Sequence, residues 1–205
     1  MKLNSLLLLI LASSSCFAQS ARDYFFPASG KNVSVFVKPA KKGFLKVKEK
    51  TLVYFQDMGD SALITTIYPN HKGKLGWKEE MVKIEGTKIS LLKIKSNIYR
   101  PQTFEADEVT LLKVPAEGSS YSEHVKGSTK QIYRAEFLTI KIDSKERKAL
   151  KITQSSEMKR SGKKLMSYSD YYVQGLGYYK RTVDDGVAIE MLEEQKYDPN
   201  PPTMK

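Results

Sequence analysis

Thr139-Ile140-Lys141-Ile142-Asp143 and Leu150-Lys151-Ile152-Thr153-Gln154 alternate apolar and polar side chains, position by position. A period of two places the apolar residues on one face of an extended chain and the polar residues on the other, which is the pattern of a half-buried strand. Val33, Val35 and Val37 alternate with Ser34 and Phe36 in the same way. Enrichment in Val, Ile, Thr and Tyr supports strands, because branched and aromatic side chains fit a pleated surface. No long run of helical periodicity competes with them.

Turn residues fall between these runs. Met58-Gly59-Asp60 separates Leu52–Asp57 from Ser61–Tyr68, and Glu85-Gly86 separates Met81–Ile84 from Thr87–Ile94. Asp184-Asp185-Gly186 divides Tyr178–Val183 from Val187–Leu192, and the charged stretch Ser144–Lys148 divides Leu138–Ile142 from Ala149–Ile152. Gly and Asp tolerate the positive φ that a twisted hairpin requires, so each pair reads as an antiparallel hairpin. The expectation is an all-β, antiparallel fold of about ten strands, arranged as a curved sheet, a sandwich or an open barrel. Pro115–Lys130, rich in Ser, Gly and Glu, reads as a loop or as the join between two halves. Tyr197–Lys205 carries Pro199, Pro201 and Pro202 and reads as an extended tail.

The front of the 205-residue chain has a different character. Met1-Lys2 precedes a nearly unbroken apolar run, Leu3–Leu11, and Cys16-Phe17-Ala18 follows before Gln19. A positive start, a short apolar run and a small residue at the cut define a secretory signal peptide, 1–18. The run is too short for a membrane span, which needs about 20 apolar residues. The expected product is therefore periplasmic or extracellular, without an integral membrane span. Cys16 offers the alternative of lipid attachment, but Ser13 stands where lipoprotein signals usually carry Leu. Cleavage after Ala18 removes the only cysteine, and with it any disulfide, thiolate nucleophile or Cys-based metal site. The β domain then spans 19–196, with 197–205 as its tail.

Asp23-Tyr24-Phe25-Phe26-Pro27 with Ser29-Gly30-Lys31-Asn32 resembles the opening of a group of exported bacterial envelope β-proteins, in which Tyr-Phe-Pro precedes a Gly-Asn pair and an aromatic strand. Here a lysine separates Gly from Asn. Asp170-Tyr171-Tyr172-Val173-Gln174-Gly175-Leu176-Gly177-Tyr178-Tyr179-Lys180 is similar to the aromatic Gly-x-Gly-Lys strand that closes those proteins. The resemblance implies an extended antiparallel sheet of the lipoprotein-carrier kind and an envelope location, and it implies no activity. By itself, Gly175-Leu176-Gly177 allows a bulge or a close backbone approach, and it lacks the third glycine and following helix of a dinucleotide site.

The net charge is +11, and +10 without the signal. Lysines alternate with apolar residues, as in Lys46-Val47-Lys48 and Leu92-Lys93-Ile94-Lys95, which fits a solvated outer face or a cationic face for anionic partners. No nucleic-acid motif accompanies the charge. Only His71 and His124 are present, far apart, and no serine sits in a Gly-flanked nucleophile turn. Adjacent carboxylates such as Glu79-Glu80 and Glu193-Glu194 point to opposite faces of a strand. No catalytic residue, metal ligand or cofactor is expected, and the chain does not read as an enzyme. Tyr168, Tyr171, Tyr172, Tyr178 and Tyr179 crowd one region, with Phe25, Phe26 and Trp77 elsewhere. Rings with polar tips suit sugar stacking or an acyl groove. The expected ligand surface is Tyr171, Tyr172, Tyr178, Tyr179 and Trp77, with Lys93 and Lys95 supplying charge. It would serve a lipid, lipopolysaccharide or anionic glycan; the competing expectation is a structural protein pairing with an envelope partner.

Overall fold

A computed structural model describes residues 20–28, 31–39, 49–71, 73–105, 108–116, 121–123, 129–158, 160–183 and 186–204. The signal segment 1–18 with Cys16, and also Ser29-Gly30, His124 and Asp184-Asp185, lie outside the described residues. One short helix, α1 (Ala21–Phe25), is followed by β1 (Val33–Lys38), β2 (Glu49–Asp57), β3 (Ser61–His71), β4 (Lys74–Glu85) and β5 (Lys88–Ser96). Then come β6 (Gln102–Thr103), β7 (Val109–Lys113), β8 (Tyr121–Glu123), β9 (Thr129–Ile142), β10 (Lys145–Met158), β11 (Lys164–Val173), β12 (Gly177–Val183) and β13 (Ala188–Lys196).

All thirteen strands belong to one antiparallel sheet. Its order is β6-β5-β4-β3-β2-β1-β13-β12-β11-β10-β9-β8, with β7 also paired to β5. The first and last strands therefore meet in the middle, Val35 opposite Glu194 and Phe36 opposite Leu192. The flanks come from the middle of the chain and, among the described residues, do not pair, so the sheet is open. It curves nonetheless. Ala62, Ile64, Val82 and Leu112 of one flank share a buried cluster with Ala135, Leu150 and Ile152 of the other, which a flat sheet would hold apart.

Two sequence expectations are corrected. The charged stretch Lys145–Lys148 is not turn but the start of β10, because Asp143 and Ser144 alone make the reversal. Both hold positive φ, 49° and 64°, the requirement of a two-residue hairpin loop whose twist matches its strands. Ile142 thus faces Lys145, and β9 and β10 each extend to 14 residues. Likewise Gln174-Gly175-Leu176 is the loop between β11 and β12, not the interior of one strand, with Val173 opposite Gly177. The expected close approach does occur, at Gly177.

Helix α1 sits inside the curve. Ser20 caps it by accepting from the Arg22 N–H at 3.2 Å, and Ala21 and Tyr24 are fully buried. Burying a side chain as large as Tyr24 contributes about 1.5–3 kcal/mol. The Ala21 N–H donates to Gly86 O at 2.9 Å, Gly175 N–H to Asp23 O at 2.9 Å, and Ala28 N–H to Gly175 O at 2.7 Å. Those partners lie in the β4–β5 and β11–β12 turns, so α1 bridges the two flanks and closes one end of the trough. At the start of the tail, Asn32 Nδ2 donates to Asp198 O, and the Asp198 N–H returns a bond to Asn32 Oδ1, both 2.8 Å.

Candidate functional site

Beyond α1, towards the opposite end of the strands, the concave face leaves a cavity of about 410 Å³. That volume falls in the range of small-molecule sites, about 300–1,000 Å³. Its floor is apolar. Phe25 of α1 stacks on Tyr172 of β11 at 6.2 Å between ring centroids, and Tyr172 meets Tyr178 of β12 edge-on at 5.7 Å. Phe36 of β1 packs on Tyr178 at 5.2 Å. Val53, Phe55 and Ile64 complete the floor from β2 and β3.

One step along the same strands, the lining becomes polar. Asp170 and Arg181 are opposite each other in β11 and β12. Arg181 Nε and Nη2 donate to the two carboxylate oxygens, each at 2.7 Å. This paired geometry is the strongest form of the Arg–carboxylate bond. The Asp170 bond is the chief reason the Arg181 pKa rises still further above its ordinary value. The guanidinium also lies over the Tyr168 ring, 4.2 Å from its centroid. Across the trough, Lys78 Nζ is 2.8 Å from Glu80 Oε2. Glu190 of β13 accepts from the Tyr178 hydroxyl at 3.2 Å. Gln154 Nε2 donates to Tyr133 Oη at 2.9 Å, and the Tyr168 hydroxyl donates to Gln154. Burial first, then the Glu80, Tyr99 and Glu190 charges, push the Tyr68 hydroxyl up to about 12. Tyr178 is raised as well, by burial and then by Asp170 and Glu190.

The structure divides the residues expected from sequence. Tyr172 and Tyr178 enter the cavity. Tyr171 faces the other side of the sheet, where Lys180 Nζ lies 4.6 Å from its ring centroid. Tyr179 is the extra residue at a register shift and does not line the cavity. Trp77 precedes the cavity-lining Lys78, and Lys93 and Lys95 flank the core-packed Ile94, so the three lie on the outer face of the opposite flank; Lys95 stands across from Glu79. The seven residues therefore form no single surface. Asp170, Arg181, Glu190, Lys78 and Glu80 were not singled out as site residues. Period two would have grouped Tyr168, Asp170 and Tyr172 on one face, but the partner strands were not legible.

A second hollow, about 610 Å³, lies on the other side of α1 against Arg22, Asp57 and Tyr197. Although larger, and lined in part by the buried Phe26, it holds an ion pair, Arg22–Asp57, whose carboxylate is 62% exposed, and Tyr197 is 64% exposed. The less exposed pairs, Asp170–Arg181 and Lys78–Glu80, belong to the first. Among the described residues, no three or more His, Cys, Asp or Glu side chains group to hold a metal, and no helix is long and apolar enough to cross a membrane. No protein-family model, curated protein or solved structure matches the chain.

Proposed function

We propose that the chain is an exported, non-catalytic binding protein of the cell envelope, which holds an amphipathic ligand in the trough of its sheet. The observation that carries the reading is the gradient within one cavity, from the Phe25–Tyr172–Tyr178 floor to the Asp170–Arg181 pair. An apolar tail gains from leaving water at the floor, while a polar head finds hydrogen-bonding partners nearer the open end. An amphipathic lipid has that form. The leader-like segment 1–18 supports export. Native mass spectrometry of protein purified from its own envelope tests both parts. A co-purifying lipid and a mature chain beginning near Gln19 are the expected results. Bare protein that also fails to bind an apolar fluorophore such as N-phenyl-1-naphthylamine would overturn the cavity reading.

A second reading, pairing with an envelope protein, is favoured by one edge. β9 pairs with β10 along its length but with β8 only at 131–133. Among the described residues, no strand pairs with its outer edge over 134–142. Such an edge can accept a strand from another chain. A stoichiometric protein partner in the same spectra, with an empty cavity, would establish it.

A further inference from the structure

Charge inside the cavity runs opposite to charge on the chain. The protein carries +11, yet the cavity lining holds two cations, Lys78 and Arg181, against three carboxylates, Glu80, Asp170 and Glu190. Both cations are engaged, Lys78 with Glu80 and Arg181 with Asp170 through two bonds. Glu190 has no cationic partner within ion-pair distance among the described residues; its partner is the Tyr178 hydroxyl. Glu80, Glu190 and Tyr68 line the same cavity, and both carboxylate charges act on the Tyr68 hydroxyl. Resting on the amphiphile reading above, we propose that the cavity selects an amphiphile whose polar head is a cationic nitrogen, a primary amine or a quaternary ammonium, and disfavours an anionic head.

The chemistry follows from what a head would meet. A sulfate or phosphate would need a free cation, and would instead face an excess carboxylate in a half-buried site. An ammonium would meet that carboxylate together with the Tyr68 and Tyr178 side chains that line the same cavity, and aromatic rings attract cations through their negative quadrupole. The outer lysines still draw anions to the surface, which keeps surface attraction and cavity selection distinct.

Decyltrimethylammonium, decanol and decyl sulfate share one tail and differ in head charge. Each is titrated, below micelle formation, against protein holding N-phenyl-1-naphthylamine in about 0.15 M salt, where outer charges are screened beyond about 8 Å. Decyltrimethylammonium should displace the probe at about tenfold lower concentration than decyl sulfate, the scale of a desolvated cation–π contact with a nearby charge. Glu190→Gln keeps the shape and the Tyr178 bond. It should cut that advantage at least about threefold while leaving decanol unchanged, as loss of one nearby charge requires. Glu194→Gln, an exposed carboxylate outside the cavity lining, should leave all three unchanged. Equal or tighter displacement by decyl sulfate, or an unchanged ratio in Glu190→Gln, would overturn head selection while the cavity reading stands. If neither the probe nor decanol binds, the amphiphile reading falls and this inference with it.

Discussion

Tyr171 and Tyr172 are neighbours in one strand and belong to different environments. Tyr172 is 9% exposed, stacked on Phe25 and edge-on to Tyr178, within the cluster that joins both flanks. Tyr171 lies on the outer face beneath Lys180. The inner face of β11 and β12 thus supplies core and cavity, and the outer face supplies solvated charge with aliphatic and aromatic cover. Residue type does not sort them. The direction of the pleat does, and a register shift beside Tyr172 leaves Tyr179 in neither row.

Truncating each tyrosine is the strongest way to break that contrast. Tyr172→Ala should cost about 3–5 kcal/mol, the loss of a large buried ring plus the cavity it leaves. Tyr171→Ala should cost about 0.5–1 kcal/mol, the worth of an exposed cation–π contact. Urea unfolding at unchanged m-value measures both. Equal losses would mean that the two faces of this strand are not energetically distinct.

A second contrast separates the closed end of the trough from the solvent around it. Gly177 and Gly59 both hold positive φ, 77° and 83°. A Cβ on Gly177 would lie 2.7 Å from Phe25 O, whereas one on Gly59 meets nothing within 4 Å. Gly59→Ala therefore carries only the conformational cost, about 1 kcal/mol. Gly177→Ala adds a clash with backbone that cannot move without lifting α1 from the turn, and should cost about 2–3 kcal/mol. Probe affinity should fall with it, since Phe25 forms part of the cavity floor. If Gly177→Ala matched Gly59→Ala, α1 would not be seated against that turn as described.

Much of the fold was legible because strand identity and hairpin turns are local. The β2–β3 and β4–β5 hairpins follow from alternation and a glycine, although the second reverses at Gly86-Thr87 with Glu85 facing Lys88. The Asp143-Ser144 reversal is not legible because neither residue is glycine, and the charges after it carry the pattern of a loop. Sheet order was not legible at all. β1 meeting β13 joins residues at opposite ends of the chain, and no local signal records that. The cavity suffered the same limit. Asp170 and Arg181 are 11 positions apart across a turn, while Glu190, Lys78 and Phe25 reach the site from three further elements. The Asp23–Pro27 and Asp170–Lys180 segments pack on each other, through Phe25–Tyr172 and Gly177 against Phe25 O. Their contact could not be read from either segment alone.

The smallest expected effect extends the contrast to two Arg–Asp pairs. Asp170–Arg181 lines the cavity, with the Asp170 side chain 12% exposed, whereas Asp57, paired with Arg22, is 62% exposed at the closed end. Arg22 reaches Asp57 and Gly59 O, and so ties α1 to the β2–β3 turn. Its hydrogen bond to Asp57 holds that carboxyl below the usual range against the opposing effect of burial, with the Gly59 and Met58 N–H groups adding to the lowering. A carboxyl whose folded pKa lies below its unfolded value of about 3.9 binds fewer protons when folded. Its contribution is complete above that unfolded value and is lost as pH falls through the folded one. Because Asp57 is largely solvated, screening holds the contribution to about a few tenths of a kcal/mol. Asp57→Asn should therefore be less stable than the natural chain by that amount at about pH 6, and the gap should close progressively as pH falls below the unfolded value of about 3.9. A gap that held constant or widened in acid would show that Asp57 stabilises the turn through its backbone bonds, with the charge on Arg22 contributing nothing.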